Sequence, residues 1–198
     1  MARRRSALLW PDSNLAYFFY GKKYTTYNVA TEKITEEDMD VADEWDLWED
    51  GIDAGLAWPK NGGKKAYFFK GSEYVRYDFD EEEVDQKPRS IASGWSGLVF
   101  DAIDDVIYWP PTNKFYFVRG NQYLRYDVAT EKVDDVLRPI AGNWGGIWAD
   151  GWDASLQWPK TNKIYFFKDT QYMRYDIATG QADQKPLDTN ANWGRIFG

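Results

Sequence analysis

The chain has 198 residues, 32 of them acidic and 24 basic, which gives a formal net charge of −8 at pH 7. This balance argues against a nucleic-acid partner, because affinity for a phosphate backbone depends on Lys and Arg. Cysteine and histidine are both absent, which excludes disulfides, thiolate metal sites and imidazole catalysis.

The N-terminal residues lead directly from Arg5 into the first apolar run at Leu8. No stretch of the chain is apolar enough for long enough to predict a signal peptide or a membrane span. The lack of cysteine slightly favours a cytoplasmic location over a secreted one, without deciding it.

Aromatic landmarks recur four times in one order and form the strongest pattern in the chain. Each copy has a Trp-Pro pair, then a Tyr-led aromatic run, then a Tyr-x-x-Tyr pair, and finally a late Trp. Such recurrence predicts a repeat architecture. The Trp-Pro pairs are Trp10-Pro11, Trp58-Pro59, Trp109-Pro110 and Trp158-Pro159, and the late tryptophans are Trp45, Trp95, Trp144 and Trp193.

The second copy shows the elements of one unit in chain order. An apolar strand at 52–58 ends at a proline, which cannot donate to a ladder. A second strand at 65–70 and a third at 73–78 are joined by a tight Gly-Ser hairpin. A polar fourth strand follows at 83–87. We then expect Pro88, Pro139 and Pro186 to open a short helix in their respective copies, since the fixed φ of proline suits a first helical turn.

The second strand is apolar on both faces, with Ala66 and Phe68 on one and Tyr67 and Phe69 on the other. A strand buried on both faces must lie between layers, as in the radially packed blades of a propeller. An open solenoid is the alternative, but it needs polar caps and the terminal copies are as aromatic as the others. The predicted fold is therefore all-β: one four-bladed β-propeller domain at 1–198, with blades at about 4–51, 52–102, 103–151 and 152–198.

These units resemble hemopexin-like repeats over nearly the whole chain. The resemblance rests on Ile52-Asp53-Ala54, on Tyr67-Phe68-Phe69-Lys70-Gly71, and on Tyr74-Val75-Arg76-Tyr77-Asp78. It implies each blade has four antiparallel strands and a short helix, and it implies a central tunnel lined by the innermost strands. Backbone carbonyls that converge there suit calcium or sodium.

The resemblance also implies two rings of backbone groups along the tunnel. The first would use carbonyls at the mouth, and the second, two residues further on, would meet another cation or, through amides, a chloride. Arg5 departs from the acidic pattern and could ion-pair with a neighbouring aspartate. The first ring is Arg5, Asp53, Asp104 and Asp153, and the second is Ala7, Gly55, Val106 and Ser155.

One acidic segment, 36–50, has no equally charged counterpart in the other copies. A feature that breaks the repeat is where a function beyond the fold should be sought. Asp43, Glu44 and Asp46 are therefore candidate ligand-binding residues for calcium, a polyamine or a basic protein, although a solvated loop explains them more simply.

Two other repeated features favour structural roles. The tryptophans occupy positions that the blades require, so they favour core over a sugar site. Arg76, Arg125 and Arg174 favour a repeated ion pair between blades, or a hydrogen-bonding register, over an anion site.

The residue inventory predicts a protein without catalytic activity. Heme is not expected, since histidine ligation is impossible and Met173 occupies a strand-core position. The leading interpretation is a binding protein with structural ions in the tunnel, acting in ligand or protein recognition, either in storage or in a host- or toxin-associated role. A carrier of polyamine or sugar is the alternative, and a carboxylate-dependent glycosidase is a remote one. The partner, an unknown protein or a small cationic ligand, stays open, as does a homodimer.

Overall fold

The computed structural model describes residues 4–198, apart from the side chain of Asn61. Blades 1 and 2 are four-stranded antiparallel sheets whose strands follow one another in chain order from the axis outwards. Blade 1 contains β1 (Arg5–Leu9), β2 (Leu15–Tyr20), β3 (Lys23–Asn28), β4 (Lys33–Asp40) and helix α1 (Val41–Glu44). Blade 2 contains β5 (Ala54–Trp58), a 3₁₀ turn (Asn61–Gly63), β6 (Lys65–Lys70), β7 (Glu73–Asp78), β8 (Glu83–Ser90) and α2 (Ile91–Gly94).

Blades 3 and 4 repeat this order, but their outermost strand is split into two short segments that both pair with the third strand. Blade 3 contains β9 (Asp105–Trp109), a 3₁₀ turn (Pro110–Thr112), β10 (Lys114–Arg119), β11 (Gln122–Asp127), β12 (Lys132–Val133) and β13 (Arg138–Pro139). Blade 4 contains β14 (Ala154–Gln157), β15 (Lys163–Lys168), β16 (Gln171–Asp176), β17 (Gln181–Ala182), β18 (Leu187–Asp188) and α3 (Thr189–Trp193).

The four innermost strands close into a ring, with β1 in contact with β5, β5 with β9, β9 with β14, and β14 with β1. Burial on both faces of the second strands explains the closure. In β6, Ala66, Phe68 and Phe69 are fully buried. The four hydrophobic clusters therefore each lie between two adjacent blades, and no blade has a core of its own. The all-β four-bladed propeller predicted from the repeats is confirmed.

The tight hairpins between the second and third strands need a left-handed residue. Glycine supplies it at Gly21, Gly71 and Gly120, with φ of 57°, 52° and 57°, and Asp169 adopts φ 52° in blade 4. Glycine reaches this region at little steric cost, which explains its place in three of the four copies.

The prediction that prolines open the short helices is wrong. Pro88 lies within β8 and Pro139 within β13, while Pro186 directly precedes β18. These strands lie at the outer edge of their sheets, where a residue without an amide hydrogen loses no ladder bond.

The short helix predicted for every blade is present in blades 1, 2 and 4. In blade 3 it is a single turn, in which the Trp144 amide donates to the Ile140 carbonyl at 3.1 Å. Gly142 stands inside this turn with φ 78°, which a right-handed helix does not allow.

The C-terminal segment joins the last blade to the first. The Phe197 ring lies 5.4 Å from that of Phe18 in blade 1 and 5.5 Å from that of Phe167 in blade 4. Trp193 also packs on Phe18, with ring centroids 6.1 Å apart. Within residues 4–198, none of the helices is long and apolar enough to cross a membrane.

Candidate functional site

The backbone of β1 alternates between groups bonded to β2 and groups directed at the axis. The Trp10 amide donates to the Leu15 carbonyl at 2.8 Å, which makes these two residues a hydrogen-bonded pair. Because such pairs alternate along an antiparallel ladder, Arg5 and Ala7 fall at positions whose backbone groups do not bond to β2. Their amides and carbonyls therefore face away from β2, towards the tunnel.

The same alternation holds in blade 4. The Trp158 amide donates to the Lys163 carbonyl at 2.9 Å, so the backbone of Ser155 also faces the axis. Gly55 and Val106 occupy the matching register in their blades, opposite the central Phe of the second strand. The four second-ring positions predicted from the sequence thus lie at one level of the tunnel.

Three first-ring residues, Asp53, Asp104 and Asp153, direct their amides into their own blades. These amides donate to carbonyls of the second strand at 2.8, 2.9 and 2.8 Å, respectively. Within residues 4–198 their carbonyl oxygens accept no hydrogen bond. Three carbonyls at this end of the inner strands therefore have no hydrogen-bond partner within residues 4–198.

The side chains of these aspartates have a separate structural task, because each caps the hairpin of its own blade. Asp53 accepts from the Gly71 amide at 2.7 Å, and Asp104 accepts from the Gly120 amide at 2.6 Å. Asp153 accepts from the Asp169 amide, also at 2.7 Å. The side chain of the repeated Asp thus holds the hairpin of its own blade.

Each first-ring carboxylate also has an arginine partner. Arg4 lies 2.9 Å from Asp53, Arg119 lies 2.5 Å from Asp104, and Arg5 lies 3.4 Å from Asp153. The expected ion pair of Arg5 is thus present, and its guanidinium also lies 4.7 Å from the centre of the Phe197 ring. Burial raises the pKa of the Asp153 carboxyl, against the opposing effect of Arg5.

The pairs line a cavity of about 290 Å³ at the mouth. The sequence analysis did not single out Arg4 or Arg119 as parts of this site. Their roles depend on contacts with distant carboxylates, which the repeat pattern does not display.

Asp105 is a buried carboxylate that the sequence analysis missed. It stands in the register of Ser6, Ala54 and Ala154 and is 1% exposed. Its Oδ2 accepts from Trp152 Nε1 at 2.7 Å and from Ser155 Oγ at 2.5 Å. It therefore links the inner strands of blades 3 and 4. An acidic residue where the other copies have Ser or Ala was the signal that could have revealed it.

The hydrogen bonds from Trp152 and Ser155 hold the Asp105 carboxylate beside the second ring, next to Val106 of its own strand and Ser155 of blade 4. Burial raises the pKa of Asp105 to about 6, and these hydrogen bonds oppose the rise. An acidic side chain of the protein itself thus lies beside two of the four second-ring positions.

The candidate residues of the acidic segment lie on the outer rim, apart from the tunnel. Asp43 and Glu44 belong to α1, and Asp46 follows it with φ 48°. All three are exposed. Among residues 4–198, no three His, Cys, Asp or Glu side chains are grouped so that they could hold a metal.

Four small antiparallel sheets around an axial tunnel define a four-bladed β-propeller. The chain belongs to the Hemopexin family, whose model matches residues 52–99, 103–149 and 153–188. The resemblance of the repeats is thereby confirmed. A comparison with curated protein sequences gives no match.

Solved plant proteins share the fold. A plant lectin with two metal binding sites from Cicer arietinum is 22% identical, with a TM-score of 0.82 over 98% of this chain and 96% of that one. A 2S albumin seed protein from Dolichos is also 22% identical, with a TM-score of 0.83 and the same coverage. A hemopexin fold protein from cow pea is 20% identical, with a TM-score of 0.80 over 95% and 94% of the two chains.

Proposed function

We propose that this chain is a non-catalytic binding protein whose axial tunnel holds a structural cation, calcium or sodium. The observation that carries the proposal is the set of mouth carbonyls of Asp53, Asp104 and Asp153, which accept no hydrogen bond within residues 4–198. Uncharged oxygens that converge on one axis are suitable ligands for a hard cation. Arg5 would supply the fourth carbonyl.

The second ring is the proposed place of a further ion. Its backbone groups at Ala7, Gly55, Val106 and Ser155 face the axis, and Asp105 contributes a carboxylate beside two of them. A carboxylate attracts a cation and repels chloride, so a cation fits this level better than chloride does.

We propose that the chain is not catalytic, because its buried and tunnel-mouth carboxylates already have partners within the protein. Asp105, the most deeply buried carboxylate, is fully engaged by donors, and the mouth carboxylates are paired with arginines. Heme is not proposed, because the chain has no histidine and Met173 is 3% exposed within the hydrophobic cluster between blades 3 and 4. The outward role would be storage or recognition.

A small-ligand carrier is the second candidate, with a polyamine or a sugar as cargo. A plant albumin from Cicer arietinum showing hemagglutination shares the fold, which keeps the sugar in consideration. An acidic, aromatic crevice between blades 1 and 2 favours a cationic cargo over a sugar.

Mass spectrometry of protein purified without chelator tests the tunnel proposal. We expect one tightly held cation per chain at the mouth, and a second one where the second ring is also occupied. Removing a cation present at 100 times its Kd costs about 2.7 kcal/mol, which for a chain of this size lowers the Tm by about 5–10 °C.

Two thermal melts distinguish bound calcium from bound sodium. EDTA lowers the Tm only if calcium is bound, whereas exchange of sodium for choline lowers it only if sodium is. Absence of bound cation, together with an unchanged Tm in both melts, would remove the tunnel ion.

A further inference from the structure

The strongest unassigned site is the crevice between blades 1 and 2. It has a volume of about 320 Å³, and two carboxylates, Glu44 and Glu82, stand at its edge. The Tyr17 and Trp45 rings meet edge to face with centroids 4.9 Å apart. The aromatic walls are Trp10, Tyr17, Tyr24, Trp45 and Tyr77.

The crevice between blades 3 and 4 provides an internal comparison, because its five aromatic residues occupy the same repeat positions. There the position of Glu44 is taken by Asn143 and that of Glu82 by Gly180, and the volume is about 220 Å³. The aromatic walls are thus common to the fold, while the two carboxylates belong to the blade 1–2 crevice.

Blades 2, 3 and 4 each place an arginine beside the tyrosine that lines such a crevice. Arg76 stands directly opposite Tyr67 on the next strand and opposes the burial-driven rise in the pKa of that tyrosine, and the pairs Arg125–Tyr116 and Arg174–Tyr165 repeat this arrangement.

These arginines are held within their own blade, so the predicted ion pair between blades is wrong. In blade 2, Arg76 lies 2.8 Å from Asp85, while Lys65 bridges Asp85 and Asp78. Arg76 pairs with Asp85 because the outer strand that contains Asp85 lies next to the strand of Arg76.

In the described residues of blade 1, this network of ion pairs is absent. Thr26 stands where the arginine would be, and its hydroxyl bonds to that of Thr35 at 2.7 Å. Tyr17 therefore lies opposite a threonine instead of a guanidinium. The four blade 1 counterparts of Lys65, Arg76, Asp78 and Asp85 are Leu15, Thr26, Asn28 and Thr35.

The charge around Tyr17 is negative instead. Burial, then Glu36 and Glu82, raise the pKa of Tyr17, and burial, then Glu44 and Glu36, raise that of Tyr24 to about 12.

These glutamates keep their charge uncompensated. In the crevice between blades 2 and 3, the counterpart of Glu82 is Glu131, which pairs with Lys60 at 2.6 Å. Within residues 4–198, Glu36, Glu44 and Glu82 form no ion pair.

We propose that the blade 1–2 crevice binds a guanidinium group, which takes the place that an internal arginine occupies in the other three blades. The half-buried rings of Trp10 and Tyr17 attract the cation, and Glu44 and Glu82 accept its hydrogen bonds. A small guanidinium compound and an arginine side chain of a partner present the same group. This site lies apart from the tunnel mouth, so it can fail while the tunnel cation holds.

Calorimetric titration at low ionic strength tests the proposal, with L-argininamide as one probe and the peptide Gly-Gly-Arg-Gly-Gly as the other. We expect saturable binding at one site per chain. Tighter binding of the peptide identifies an arginine side chain as the ligand, and tighter binding of argininamide identifies a free small molecule.

Two variants separate this crevice from general acidity. The exposed pair Glu44→Gln with Glu82→Gln should weaken binding at least about tenfold, whereas the matched change Glu131→Gln should leave it unaltered. Thr26→Arg with Thr35→Asp installs the internal pair of the other blades and should abolish binding while the thermal melt stays cooperative. Absence of binding to the native chain, or equal binding by all variants, would overturn the proposal.

Discussion

Replacing Ser155 by alanine tests the buried link between blades 3 and 4. The change removes a hydroxyl that donates to the Asp105 carboxylate at 2.5 Å in a fully buried setting. Hydrogen bonds to charged groups contribute about 1.5–3 kcal/mol. We therefore expect the free energy of unfolding to fall by about 2 kcal/mol, and the Tm by about 4–8 °C.

A double-mutant cycle shows whether this loss belongs to the contact. Asp105→Ala removes the acceptor, so the further change Ser155→Ala should cost less than about 0.5 kcal/mol in that background. Alanine is compatible with the inner strands at both levels, since Ala54 and Ala7 occupy the corresponding registers. Urea unfolding of the four proteins at pH 7 provides the measurement. An equal cost of Ser155→Ala in both backgrounds would refute the coupling.

Three further outcomes are expected. Lys114 and backbone amides lower the pKa of Asp127 from 3.8 to about 2. The charged carboxylate therefore stabilises the fold above pH 4, and this stabilisation is lost as the pH falls towards 2. Urea melts should show that Lys114→Met makes this loss shallower. Phe197→Ala should lower the free energy of unfolding by about 3 kcal/mol, whereas the exposed Leu187→Ala should change it by less than about 0.5 kcal/mol; equal effects would mean that ring closure lies elsewhere. Asp105→Ala removes the acidic group beside the second ring, which repels anions, so crystals soaked in bromide should show an anomalous peak there that native crystals lack.

Local sequence patterns were sufficient to predict the strands of the blades. The strands Lys65–Lys70 and Glu73–Asp78 have the predicted limits, because alternating apolar residues and a glycine hairpin determine them locally. The first strand of that copy begins at Ala54, two residues later than predicted, because Asp53 turns its side chain towards the hairpin.

The tunnel was predictable only in part. Aligning the copies placed Asp53, Asp104 and Asp153 in one register, since a repeat fixes backbone position. The partners of their side chains were not predictable, because Arg119 reaches Asp104 across a hairpin and no periodicity encodes that distance. Asp105 was overlooked for a related reason: it directly follows the aspartate that the repeat explains.

The sharing of every hydrophobic cluster between two blades also bears on how the chain moves. Opening one blade would expose two aromatic faces at once, and the neighbours on both sides would lose half of their packing. Partial unfolding is then nearly as costly as complete unfolding, so the inner-strand amides of all four blades should exchange with solvent deuterium at one common rate. A ligand held between two blades would slow exchange around the entire ring, including blades that it does not touch.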